Sequence, residues 1–246
     1  MSRLATMIFA IVAYAIFFAT FLYLIVFVGD LSFAKVTVDR GPYADPPVAA
    51  LIDVVLIALF GIQHSVMARQ GFKRRWTRIV PPPAERSVYV LAASAMLIIL
   101  FLFWRPIPAI VWSISTPAVS DIIWAVFWIG WVAVLISTFL INHFELFGLQ
   151  QAWFHMRGRE AAAPKFHQPM FYKWVRHPLY LGFILAFWAT PEMTVGHLLL
   201  AVGISIYIRI AISYEEHDLV GLFGNDYEDY RANVGMLTPK FRRRSS

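Results

Sequence analysis

Two segments near the C-terminus concentrate the side chains that could do chemistry: RHPLYLGFI at residues 176–184 and YEEHDLVGLFGNDYEDY at residues 214–230. In the first, Pro178 suits the opening turn of a helix, where its missing N–H is harmless, and it holds His177 extended at the helix entrance. Arg176 and His177 then flank a helix N-terminus, whose free N–H groups and positive dipole end suit a carboxylate. Tyr180 follows one turn in, and Gly182 permits close backbone approach. Taken alone, this is also how an ordinary interfacial helix begins. In the second segment Glu215 and Glu216 lie side by side at the end of a membrane helix, a costly placement unless cations or donors meet them, for which Arg209, Arg176 and His177 are the candidates. Arg209 stands seven residues before Glu216, two turns away on the same helix face. Such a site suits an amine and ribose hydroxyls.

The elements that must position these groups are membrane helices. The chain has 246 residues, 59% hydrophobic and 15% charged, too apolar for an ordinary soluble domain. Residues 7–28, 48–67, 87–104 and 122–141 each approach the roughly 20 residues that cross a hydrocarbon core. A fifth apolar region, 179–212, is divided at 191–194 by PEMT, which favours a helical hairpin. The first run is long and lacks a small-residue cleavage site, so it is read as a helix of the mature protein. The expectation is an all-α integral membrane protein of about five to six transmembrane helices with a C-terminal hairpin and cytoplasmic tail. Basic residues gather in the loop at 69–86 and in the segment at 142–177, which places both, the KFRRR tail and the N-terminus on the cytoplasmic side. One membrane domain is expected over residues 1–246, and no repeat is visible. Nothing sets the oligomeric state.

The net charge of +6 is accounted for by basic residues at span ends, where they meet anionic lipid head groups, so no nucleic-acid partner is read from it. With no cysteine, disulfides, thiolate metal sites and a cysteine nucleophile are excluded. Six of the seven histidines, His64, His143, His155, His167, His177 and His217, fall at the expected cytoplasmic side; only His197 goes to the other. The spacing of His143 and His155 gives no i, i+4 ligand pair, and no metal site is assigned. Glycine-rich phosphate loops and strand–helix alternation are absent, which excludes a Rossmann-type cofactor domain. Trp124, Trp128 and Trp131 share one helix face, suited to core packing or lipid contact before a substrate pocket.

The combination of RHPLYLGF, an apolar hairpin, and EEHDLVGLFGNDYEDYRANVGMLTP resembles the C-terminal signature of integral-membrane methyltransferases acting on isoprenylcysteine carboxylates and phospholipids, here over residues 171–239. Upstream, GIQHSVMARQGFK, ERSVYVL, NHFELFGLQQ and FYKWVRHPLYLGFILAFWATPEMTVGHLL resemble NnrU-like membrane proteins and the bacterial methanethiol S-methyltransferases. The resemblance implies S-adenosylmethionine as donor, held at the inner ends of the last helices. By that likeness Arg176, His177, Tyr180 and Leu181 line the cofactor pocket. Glu215 and Glu216 hold the ribose or amine, Arg209 orients a carboxylate, and Tyr227 and Arg231 close the site.

The implied reaction converts methanethiol to dimethyl sulfide at the bacterial inner membrane. A cysteine thiol ionises near about 8.5, and methanethiol is a weaker acid still, so a base is needed. His64 and His143 are the candidates, His143 first because Glu145, two residues on, could fix its tautomer. Two other readings stand beside this: an isoprenylcysteine or phospholipid acceptor, needing a long lateral groove, and a haem-associated accessory protein of nitrogen-oxide metabolism.

Overall fold

A computed structural model describes residues 2–159, 166 and 168–240, which leaves His167, Lys165 and most of the KFRRR tail outside the described residues. Five helices are long and apolar enough to cross a membrane: α1 (Arg3–Val28), α2 (Pro46–Ala68), α4 (Pro82–Phe103), α5 (Pro117–Ile141) and α9 (Val195–Phe223). A shorter apolar helix, α8 (Pro178–Trp188), forms the first arm of the expected hairpin. At about 1.5 Å per residue its eleven residues rise only about 16 Å, so α8 reaches through part of a bilayer core. Helices α2, α4, α5 and α8 each begin at a proline. Proline's fixed φ suits a first turn, and these turns extend the helices beyond the purely apolar runs.

The helices pack as an open arc in the order α1, α4, α2, α9, α8, α5. The tightest joint is between α5 and α8, where Gly130 faces Gly182: a Cβ on either residue would stand 2.7 Å from the other's carbonyl oxygen. The close approach expected of Gly182 is therefore made against α5. The two ends of the arc, α1 and α5, meet chiefly through side chains, including Phe21 edge-on to Trp131 at 5.5 Å. Trp131 is buried, Trp128 is exposed on the outer face, and neither lines a cavity.

One end of the bundle is capped by residues expected to be loops. Strands β1 (Ile110–Ser113) and β2 (Glu192–Thr194) pair antiparallel. Arg40 gathers Asp30 and the carbonyls of Asp30, Ser32 and Ala34. The indole of Trp104 donates to Val38 O at 2.9 Å, and buried Asp53 accepts from the backbone N–H of Arg105. Local polar bonds thus make a firm lid of this end. The opposite end carries short helices α3 (Gln70–Trp76), α6 (His143–Leu146), α7 (Leu149–Arg157) and α10 (Asn225–Asn233), with a 3-10 turn at Met170–Lys173.

Gly182→Val is expected to force α8 away from α5 and to lower stability by about 1–3 kcal/mol or more. Gly221→Ala, whose new Cβ meets nothing within 4 Å, should leave the melting temperature unchanged or slightly higher. Thermal unfolding of both variants in detergent checks the contrast.

Candidate functional site

Helix α8 starts at Pro178, and the chain before it is pinned from outside by the C-terminal segment. Val175 bridges to Gly235 in parallel register, Arg176 N donates to Gly235 O at 2.8 Å, and His177 N donates to Met236 O at 3.1 Å. Both side chains consequently turn inward. One oxygen of Glu216, Oε1, accepts from Arg176 Nε and Nη2 at 2.8 Å each and from His177 Nε2 at 3.0 Å. All three residues are buried. A carboxylate can only accept, so His177 carries its proton on Nε2 in the neutral ring, with Nδ1 3.9 Å from the exposed Glu215. Arg176 Nη1 also donates to the carbonyls of Arg231 and Val234. The expected meeting of Arg176, His177 and Glu216 is thus made across forty residues of chain.

Arg176 and His177 open on a cavity of about 540 Å³ that runs inside the arc, with Glu216 bonded behind them and outside its lining. Arg176, His177, Tyr180 and Glu215 line it together with His64 and His143. Its polar end also holds Arg69, Arg86 and Asp218. Arg69 stacks on Tyr214 with its carbon 3.7 Å from the ring centroid and stands 3.9 Å from Asp218. Arg86 donates from Nε to Leu146 O at 2.7 Å and lies over Tyr89.

The two histidines proposed as bases sit in different settings. The hydroxyl of Thr138 donates to Leu135 O at 2.7 Å, so it must accept from His143 Nδ1, 2.8 Å away. Nε2 is then unprotonated and accepts from Tyr14 O–H at 2.8 Å. Burial holds the His143 pKa below the ordinary value, which keeps the ring neutral at physiological pH. The residue fixing its tautomer is Thr138, one turn back on α5, and the expectation for Glu145 is corrected. Asn142, extended at the end of α5, holds Glu145 outward by donating to Oε2 at 2.8 Å, and Glu145 is exposed. His64, in contrast, forms no hydrogen bond among the described residues, and its Nδ1 is enclosed without a partner. Its ring is boxed by Phe60, Tyr89 and Tyr207 at centroid distances of 5.3, 5.0 and 6.1 Å.

Other expected residues are placed differently. Arg209 shares the angular position of Glu216 but lies two turns away on the exposed surface, where it bonds Ser213, so it does not reach the cavity. Arg231 closes the cluster through its carbonyl oxygen, its side chain being exposed. Leu181 points away from the cavity, which is lined by its neighbours Leu179, Tyr180 and Phe183. Tyr227 is buried with its hydroxyl unpartnered. Burial first, then the charges of Glu216 and Glu215, hold that phenol well above its ordinary range, so it remains a neutral donor.

Sequence reasoning missed Tyr14, Thr138, Arg69, Arg86 and Asp218. Tyr14 and Thr138 carry no signal beyond a polar group inside an apolar run, which was itself a flag. The two arginines had been spent on explaining orientation. As a set, the cavity's polar end offers the guanidinium groups of Arg69, Arg86 and Arg176 to an anion and the carboxylates of Glu215 and Asp218 to a cation or hydroxyls. Among the described residues no three His, Asp or Glu side chains gather as metal ligands.

No family model matches the sequence, and no solved structure matches it. Curated relatives do. Methanethiol S-methyltransferase of Mycobacterium tuberculosis is 50% identical over 97% of this chain and 98% of its own length. Methanethiol S-methyltransferase 1 of Bradyrhizobium diazoefficiens is 51% identical over 94% and 81% respectively, and the Crocosphaera subtropica protein of the same name is 44% identical over 100% and 96%. Identity at this level across nearly the whole length of the chain is too extensive to be a likeness of fold alone: the chain belongs to the methanethiol S-methyltransferase family.

Proposed function

We propose that this membrane protein, acting as one domain, transfers a methyl group from S-adenosylmethionine to methanethiol at the inner ends of its helices, facing the cytoplasm of a bacterial inner membrane. The observation that carries the reading is that Arg176 and His177, clamped by Glu216, and the unpartnered ring of His64 line one largely apolar cavity. When bound, the donor supplies a methyl on a positively charged sulfur, open to in-line displacement by a thiolate, with dimethyl sulfide and S-adenosylhomocysteine as products.

Glu216 Oε1 is saturated by three donors, which fixes the carboxylate and leaves Oε2 to accept from an amine or hydroxyl. Glu215 and Asp218 add negative charge that favours a sulfonium, while Arg69 and Arg86 suit a carboxylate. We assign the base to His64, whose nitrogens are free, in place of His143, whose nitrogens are both bonded. A neutral imidazole with no hydrogen-bond partner has a ring lone pair free to accept the thiol proton. Arg86, at the same end, stabilises the thiolate, and the aromatic box around His64 excludes water. His143, locked by Thr138 and Tyr14, positions the α1 and α5 ends of the arc against one another.

Purified protein given methyl-labelled S-adenosylmethionine with methanethiol, an isoprenylcysteine analogue or phosphatidylethanolamine is expected to label methanethiol; labelling of a lipid acceptor alone would contradict the reading. Glu216→Ala should abolish donor binding and cost about 3–5 kcal/mol of stability, since it strands a buried cation. His64→Ala should retain donor affinity and lower turnover by about 10²–10⁴-fold. Titration calorimetry for binding and dimethyl sulfide release for turnover separate the two roles; a His64→Ala enzyme of wild-type rate would remove the base assignment.

A further inference from the structure

The cavity is much larger than a one-carbon acceptor requires, and its excess lies in one direction. On α4 it is lined from Arg86 to Leu100, fourteen residues and about 21 Å of helix. On α9 it runs from Leu219 to Leu200, about 28 Å. Every carboxylate and guanidinium that lines it sits at the end near Arg86 and Glu215; the other end is walled by Leu24, Leu100, Phe187 and Leu200, each at most 8% exposed. Midway, Ser94 spends its hydroxyl on Val90 O at 2.9 Å. A space of this kind offers water few partners and stays dry or takes an apolar occupant.

We infer that the cavity accepts unbranched alkanethiols longer than methanethiol, the sulfur at His64 and the alkyl chain in the apolar arm between α4 and α9. The inference rests on the methyl-transfer reading above and extends its substrate class. The chemistry balances as for the shortest thiol. The S–H proton passes to His64, the sulfur lone pair forms the new S–CH3 bond, and the electrons of the broken sulfonium bond remain on the donor sulfur. An alkyl methyl sulfide leaves. Each added methylene buried in the arm strengthens binding by about fourfold.

The test compares kcat/KM of the purified protein for methane-, ethane-, butane- and hexanethiol, beside two variants that plug the arm, Leu97→Trp and Leu100→Phe. Leu97 and Leu100 line the cavity eight and eleven residues beyond Tyr89, which packs on His64, about 12 and 16 Å along α4 and beyond reach of the shortest thiol. In the wild type kcat/KM should climb along the series. In either variant methanethiol should stay within about twofold of wild type while hexanethiol falls by about tenfold or more. Detergent partitioning also favours longer thiols, but it acts equally on wild type and variants, so their ratio reads the arm. Independently, hexyl methyl sulfide without donor should raise the melting temperature of the wild type and not of Leu97→Trp. Rejection of butanethiol by an enzyme that methylates methanethiol, as an arm kept filled by lipid would produce, overturns the inference. So does equal loss along the series in variants that melt like wild type. Absence of methylation on every thiol would instead sink the methyl-transfer reading, while the melting shift with hexyl methyl sulfide still decides the arm.

Discussion

A single carboxylate oxygen, Oε1 of Glu216, holds the inner end of this molecule together. It accepts from two nitrogens of Arg176 and one of His177 in a setting with little water. Withdrawing such an ion pair from water is expensive, and its mutual attraction offsets the cost only when geometry is good and the remaining polar atoms are bonded. That condition explains the surrounding architecture. The tail from Val234 to Met236 supplies the carbonyls that satisfy the guanidinium and the two backbone N–H groups beside it. Pro178 fixes the turn that aims both side chains inward. Glu216 itself arrives on a helix that continues about three turns past the apolar run, to Phe223. The cluster therefore joins α8, α9 and the tail, and sets Arg176 and His177 in the cavity wall.

The arc explains how that polar knot coexists with an apolar interior. Six helices enclose the cavity in an open curve, and the joint between α5 and α8 is drawn tight by two facing glycines. The ends of the curve are bridged by side chains, among them Tyr14 to His143 and Phe17 stacked on Phe147 at 4.0 Å. The opposite end is closed by the Arg40 knot and a two-stranded sheet. The charged groups that line the cavity are thus gathered at one end, with Arg69, Arg86, Glu215 and Asp218, and its far wall is hydrocarbon.

Much of this was legible in the sequence, for identifiable reasons. Membrane spans announce themselves because backbone satisfaction and hydrocarbon burial both require long apolar helices. The meeting of Arg176, His177 and Glu216 followed from the cost of leaving such groups alone at a membrane edge. What could not be read was anything set by tertiary packing. Periodicity put Arg209 on the face of Glu216, correctly as an angle, yet neighbours change along a helix axis and only one of the two heights is covered. Glu145 was close to His143 in sequence, but a break at Asn142 turned it outward and left Thr138 to do the work. Arg86 was counted as a topology signal, when its place on the first turns of α4 brings it to the cavity.

The account rests on the nucleoside end of the donor lying against Glu216 and His177 inside the arc. An experimental structure of the protein in lipid with S-adenosylhomocysteine bound tests this directly. The account predicts density at the polar end of the cavity, within hydrogen-bonding distance of Glu216 Oε2 or His177 Nδ1 and with its sulfur toward His64. Density seated outside the arc, with the Glu216 cluster contacting only protein, would contradict it.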